Sequence, residues 1–167
     1  MFTIRQLIAC LTLLICSLSH AQESYIVSYV YDGDTVQLSN VDGKLKLRLT
    51  DIDAPERNQP YGLKARRALI SLCQGGNIKV SVDIVGKDKY QRSLGRLQCN
   101  DKDASLYRLE QGYAWYPQKF SHDLMLKKAA EAARKNKDGL WQDDSPMPPW
   151  VWRKLNAQQV TVPKLND

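Results

Sequence analysis

An α+β fold built on a small five-stranded barrel is predicted by three features of the 167-residue chain. Apolar residues recur at every second position between Tyr25 and Leu49, the period of half-buried strands. Two further alternating stretches, NIKVSVDI and SLGRLQC, follow later in the chain. Segments of helical period that stop at glycines lie between and after them. Five short strands interrupted by helices, with room for one hydrophobic core, are the pattern of a partly open barrel of the oligonucleotide-binding type with helices packed against it.

Taken in order, the first segment, MFTIRQLIACLTLLICSLSHAQE, carries Arg5, an apolar run from Leu7 to Leu18, and a small-residue cleavage signature after Ala21. The run is too short for a bilayer core of about 30 Å, so residues 1–21 read as a signal peptide. A lipid-attachment reading of LIAC on Cys10 leaves almost no apolar region before the cut. The expected product is exported, to the periplasm or beyond, with a domain over residues 22–153 and a tail over 154–167. Cys73 and Cys99 then remain in an oxidising compartment, where pairing is expected and two separate buried thiols are the alternative. The chain has 24 Lys and Arg against 18 Asp and Glu, a basic balance that favours encounter with polyanions.

The strands before and after NVDG (40–43) form a hairpin, the last two of a three-stranded meander. YGLKARRALISLCQGG predicts a helix from about Tyr61, with Ala65, Ala68, Leu69 and Leu72 on one side and Gly75 and Gly76 as its stop. DASLYRLEQGYAW predicts a short helix capped by Gly112. SHDLMLKKAAEAARKNKDGLW predicts a longer one, with Ser121 as N-cap, Leu124, Ala129 and Ala132 among its buried positions, and Gly139 as its stop. The remainder reads as a proline-rich, then polar tail. Trp150 and Trp152 in PPWVWRK are expected to pin it to the barrel by aromatic burial, a grip on nucleic acid being the other reading.

A two-residue turn in NVDG pairs even positions of the strand after DGDT (32–35) with odd positions of KLKLRLTDID. That register places Asp34 on one face with Leu49, Asp51 and Asp53, above Val36, Leu38 and Leu47 in the core. Carboxylates gathered at a barrel rim repel one another unless a cation sits among them. A hard ion such as Ca²⁺, held by Asp34, Asp53 and a backbone carbonyl such as that of Ala54, satisfies them. Singly, Asp-Gly is a turn signal and DAP a strand terminator. Arg48 and Arg92 are guanidinium forks suited to a phosphodiester, although strict alternation puts Arg48 on the face opposite Asp34.

DGDT, LRLTDIDAPE, QPYG, DKYQR, EQGYAW, AARKNKDGLW and PPWVWR, in this order from about Tyr25 to Trp152, resemble the thermonuclease family, of which staphylococcal nuclease is the best-known member. The resemblance implies a five-stranded oligonucleotide-binding barrel with three helices that hydrolyses DNA and RNA with Ca²⁺ and leaves 3′-phosphate ends. It implies Asp34, Asp53 and the Ala54 carbonyl as metal ligands, and Glu56 as the group that positions or deprotonates water. Arg48 and Arg92 match its phosphate-binding arginines, and Lys89 and Tyr90 fall where it contacts nucleotide phosphate. Gln91 departs from the family's glycine and leaves Arg96 a rival of Arg92. The base-stacking tyrosines match no single position, so Tyr113, Trp115, Tyr116 and Phe120 all stand as candidates. The competing readings are a non-catalytic nucleic-acid-binding barrel, which gains nothing from three carboxylates, and an exported calcium-binding module, which leaves the arginines unexplained. A monomer is the default.

Overall fold

The computed structural model describes residues 25–160. The signal-peptide reading of residues 1–21 falls outside them, as does the end of the expected tail. Among the described residues no helix is long and apolar enough to cross a membrane.

Strands β1 (Ile26–Val30), β2 (Thr35–Asn40) and β3 (Gly43–Leu49) form the meander, joined to β5 (Ser93–Cys99) and β4 (Val80–Lys87) in the order β1-β2-β3-β5-β4. A two-residue β6 (Lys102–Asp103) adds to β5. The ladder is antiparallel except where β3 runs parallel to β5. A single bridge between Tyr25 and Val80 joins the two ends of the sheet, giving a partly open barrel rather than a closed one. Its interior is filled by fully buried Val30, Val36, Leu38, Leu47 and Leu97, the alternate positions that the sequence period assigns inward.

The hairpin register is the expected one, with Val36 opposite Leu47 and Leu38 opposite Leu45. Its turn is held by the Asn40 side chain, whose Oδ1 accepts from the Asp42 and Gly43 amides, both at 3.0 Å. Strand β4 begins at Val80, three residues later than NIKVSVDI implies, and runs on to Lys87. Helix α1 (Gly62–Cys73) buries Ala65, Leu69 and Cys73 on the barrel, and Ala68 and Leu72 are half-buried. Cys73 and Cys99 are joined by a disulfide that ties the end of α1 to the end of β5.

Helix α2 (Ala104–Glu110) is capped by the Asp103 carboxylate, which accepts from the Leu106 amide, and Gly112 follows its C-cap with φ 63°. Helix α3 (Leu124–Asn136) departs from the expectation in three ways. Its N-cap is Asp123, which accepts from the Met125 and Leu126 amides at 2.9 and 3.2 Å. Ser121 is buried and spends its carbonyl on the Tyr116 hydroxyl at 2.8 Å. Because the helix starts at Leu124, its inner face is Leu126, Ala130 and Ala133. Leu124 and Ala132 point to solvent and Ala129 is half-buried. Lys137, in the left-handed region at φ 60°, ends α3 before Gly139, which instead opens a 3₁₀ turn over Gly139–Gln142.

The stretch read as a proline-rich tail is a fourth helix, α4 (Pro149–Val160), one more than the three implied. Pro149 in its first turn has no amide proton to leave unsatisfied and a preset φ. The amides of Val151 and Trp152 turn back onto the Pro148 carbonyl. Trp150 meets Trp115 edge-on at 5.4 Å but stays 45% exposed, and the half-buried Trp152 donates from Nε1 to Asn58 at 3.4 Å, so the two hold the helix by contacts rather than by the expected burial.

Candidate functional site

Asp34 and Asp53 sit just outside the ends of β2 and β3, where strict alternation no longer applies. Asp32 Oδ1 accepts from the Asp34 amide at 3.0 Å and fixes the turn. Gly33 is required there, because a Cβ would lie 2.6 Å from that of Ala54. The Asp34 carboxylate is buried. Its Oδ2 accepts from the Ala54 amide at 2.9 Å, and its Oδ1 from the Thr35 hydroxyl at 2.9 Å. Asp53 is held by its backbone, which exchanges two hydrogen bonds of 2.9 Å with Trp115.

Arg48 does reach these acids. Its Nη1 is paired with Asp34 Oδ1 and its Nη2 with Asp53 Oδ1 at 2.9 Å. Both carboxylates lie outside the named strands, and one fork spans the two. Burial disfavours the charged guanidinium, but the charges of Asp34 and Asp53 outweigh it and hold its pKa above the usual value. Asp51, expected beside them, is not in the cluster. It takes φ 64°, which breaks the alternation between Leu49 and Asp53, and its carboxylate turns to Arg96 at 3.5 Å. Arg96 also meets Asp123 at 3.4 Å, which commits it away from the rim.

Glu56 lies on the loop before α1. Its amide donates to Gln59 Oε1 at 3.1 Å, and its carbonyl accepts from the Gln59 amide at 2.9 Å. Gly62 is pressed against that carbonyl so closely that a Cβ would stand 1.9 Å from it. The buried Gln59 also donates from Nε2 to the Met147 carbonyl at 2.6 Å, tying the Glu56 loop to the segment leading into α4. From α4, Arg153 donates to both oxygens of Asp53, at 3.1 and 2.8 Å, and to Glu56 Oε1 at 2.8 Å. Arg153 and Gln59 carry no role in the sequence reading. Their only sequence signal is membership of the QPYG and PPWVWR segments.

A third missed residue is Arg108. It is fully buried in α2, none of its guanidinium nitrogens has a hydrogen-bond partner, and it lies 5.3 Å from the Tyr113 ring. A Cβ on Gly33 would be 3.2 Å from its Nη2, so a cation lies directly under the DGDT turn. Burial pushes its pKa down to about 10, against the pull of Asp34, and leaves it charged at neutral pH. Burial, followed by the charge of Asp34, raises Asp32 to about 7.

The β4–β5 turn stands apart. Arg92 Nε donates to Asp88 Oδ2 at 2.6 Å, and no bond links it to Asp34, Asp53 or Glu56. The Asp88 carboxylate also accepts from the Tyr90 and Arg92 amides, at 2.8 and 3.0 Å. Gln91 takes φ 62°, so the turn forms without the glycine at a strain of about 1–2 kcal/mol. Lys89 and the exposed Tyr90 project to solvent. Of the stacking candidates, Trp115, Tyr116 and Phe120 line a cavity of about 630 Å³ with Arg134, Trp141 and Trp150, whereas Tyr113 faces Arg108.

Fold and rim together define a small oligonucleotide-binding-type barrel that presents carboxylates and guanidinium groups where it opens. Residues 46–143 match the model of the staphylococcal nuclease homologue family, and the chain belongs to that family. It is 36% identical over 126 residues to a protein of Haemophilus influenzae named "Uncharacterized endonuclease", covering 75% of this chain and 70% of that one. A protein of the same name from Escherichia coli O157:H7 is 35% identical over 125 residues, 74% of this chain and 80% of the relative. "Staphylococcal-like nuclease CAN1" of Arabidopsis thaliana is 36% identical over 111 residues, 66% of this chain and 34% of its own length.

Proposed function

We propose that this chain, a nuclease by family, is an exported, monomeric, calcium-dependent hydrolase of phosphodiester bonds in DNA, RNA or both, leaving 3′-phosphate ends. The observation that carries the reading is the gathering of Asp34, Asp53, Glu56 and Arg48 at one rim through shared guanidinium contacts. Simple binding of a polyanion gains nothing from three carboxylates there, whereas hydrolysis needs both signs of charge.

Buried, oxygen-only donors suit a hard cation that takes six to eight oxygens. Among the described residues no three His, Cys, Asp or Glu side chains are grouped tightly enough to hold an ion alone. Asp34 and Asp53 would therefore hold calcium with the Ala54 carbonyl and water. The bound ion would supply positive charge to a phosphate oxygen. Glu56, half-exposed beside Asp53, orients the attacking water and accepts its proton. Arg48 already points its fork at the rim and stabilises the charge that grows on the phosphate. Arg92, once it leaves Asp88, joins Arg48 on the reacting phosphate, Lys89 and Tyr90 bind flanking phosphate, and Trp115, Tyr116 and Phe120 offer stacking surface for unpaired bases. Together these groups must remove on the order of 20 kcal/mol of barrier.

The test is Glu56→Gln, which keeps the oxygen that accepts from Arg153. With calcium present its cleavage of DNA and RNA should fall by about 10²–10⁴, with melting temperature unchanged and calcium still bound, and chelator should abolish cleavage by the parent. Cleavage at the parental rate rejects the role of Glu56. Retention of polynucleotide without any cleavage by the parent points to a binding barrel instead.

A further inference from the structure

The feature that the proposed chemistry does not use is Arg153. Its guanidinium takes both oxygens of Asp53 and one of Glu56, so the carboxylates offered to a metal ion are already engaged by a cation. The other donors on these acids, the Ala54 amide, the Thr35 hydroxyl and Arg48, belong to the barrel itself. Arg153 comes from a peripheral helix and is 44% exposed, against 21% for Arg48. It is the one donor that can leave without unfolding the rim.

Charge points the same way. Asp34, Asp53 and Glu56 against Arg48 and Arg153 leave one net negative charge. With Arg108 a further cation beneath the DGDT turn, a dication added to this set leaves the half-buried cluster one charge more positive than a dication exchanged for Arg153. Among the described residues, the other contacts that attach helix α4 include Trp150 on Trp115 and Trp152 on Asn58, with the Gln59–Met147 bond just before the helix.

We propose that Arg153 is a positioning residue of the site: in the metal-free protein it stands in for the cation, holding Asp53 and Glu56 together, and a divalent ion binds by taking the Asp53 oxygens from it, which frees Glu56 and loosens α4. The exchange rests on the calcium reading. A protein whose binding-competent form is only a fraction of the population shows an affinity lowered by that fraction, so the guanidinium sets a threshold for ion binding.

The experiment is calorimetric titration of Ca²⁺ into the metal-free full chain, its Arg153→Met variant and its Arg153→Lys variant, with amide hydrogen exchange followed over α4. Arg153→Met, which keeps the apolar stem, should bind Ca²⁺ about ten-fold more tightly than the parent. Arg153→Lys, which keeps the charge but not the fork that spans two carboxylates, should gain about three-fold and gives the same answer if the methionine variant fails to fold. Calcium should speed exchange in α4 of the parent and add nothing in Arg153→Met, where α4 is already loose. A purely structural arginine would loosen α4 when removed but would not tighten calcium. Equal or weaker binding by the variants, or α4 exchange that calcium leaves unchanged in the parent, overturns the exchange alone. No binding of Ca²⁺ by any of the three proteins overturns both the exchange and the calcium reading.

Discussion

Two parts of the molecule hold cationic groups suited to phosphate, and they are built in opposite ways. At the rim Arg48 is one member of a chain of charges, Asp34 to Arg48 to Asp53 to Arg153 to Glu56, in which the two aspartates are buried. In the β4–β5 turn Arg92 is held by Asp88, four residues before it, and lies over the Tyr90 ring at 5.6 Å, and its neighbours Lys89 and Tyr90 face solvent. Asp34, Arg48 and Asp53 are part of the fold, because each one makes another tolerable away from water. The turn charges satisfy only the turn, which leaves them free to be exchanged for substrate without cost to the barrel. Removing an arginine should therefore harm stability in one place and function alone in the other.

The largest effect is expected at Arg48. Arg48→Ala strips two buried carboxylates of their shared partner, and breaking a buried pair on one side costs about 3–5 kcal/mol. Urea denaturation in chelator should show that loss, with Arg48→Lys between it and the parent because an ammonium cannot span both acids. A change below about 1 kcal/mol would mean that the rim is held by the Ala54 amide and the Asp53–Trp115 backbone pair, and the contrast would lose its basis.

That contrast also marks what the sequence makes legible. The alternation through Leu49 and the NVDG turn fix the β2–β3 register, because a one-residue slip would expose Val36, Leu38 and Leu47. From the register follows the meeting of Asp34 and the strand end that carries Asp53. Position within an extended strand is legible; the residues just past it are not. Asp51 escapes the pattern through a single left-handed φ, and Arg48 meets acids that lie outside the named strands. Arg153 and Arg108 are invisible for a different reason. One depends on where a C-terminal helix docks nearly a hundred residues after Glu56, and the other on which face of a seven-residue helix turns inward. Neither is a local property of chain period, and the misplaced inner face of α3 shows how a two-residue error in a cap shifts the buried face of a whole helix.

A smaller effect at the rim is expected from Asp32, where the fold raises a charge's cost rather than lowering it. Its carboxyl stands at about 7 in the folded chain against 3.8 for the free group, chiefly through burial. The folded state therefore holds that proton more tightly than the unfolded one. Stability from this group is greatest below about pH 4 and declines as pH rises from about 4 to 7. Asp32→Asn keeps the oxygen that accepts from the Asp34 amide and removes the titration. In metal-free protein it should gain about 1–3 kcal/mol at pH 8 and nothing at pH 3.5, read from melting curves at the two values. An equal gain at both would assign the effect to packing and not to charge.

The smallest effect on the fold, and the sharpest test of the contrast, belongs to Arg92. Its partner lies in the same turn, whose backbone bonds from Tyr90 and Arg92 to Asp88 do not need the guanidinium. Arg92→Ala should move the melting temperature by less than about 2 °C. If the freed fork is a phosphate ligand, kcat/KM should nevertheless fall by about 10²-fold, the size of loss seen when one donor to a developing charge is removed. Loss of cleavage with an intact fold at Arg92, beside loss of the fold itself at Arg48, is the pair of outcomes that the two architectures demand. Parental cleavage by Arg92→Ala would confine the chemistry to the rim and leave the turn as surface.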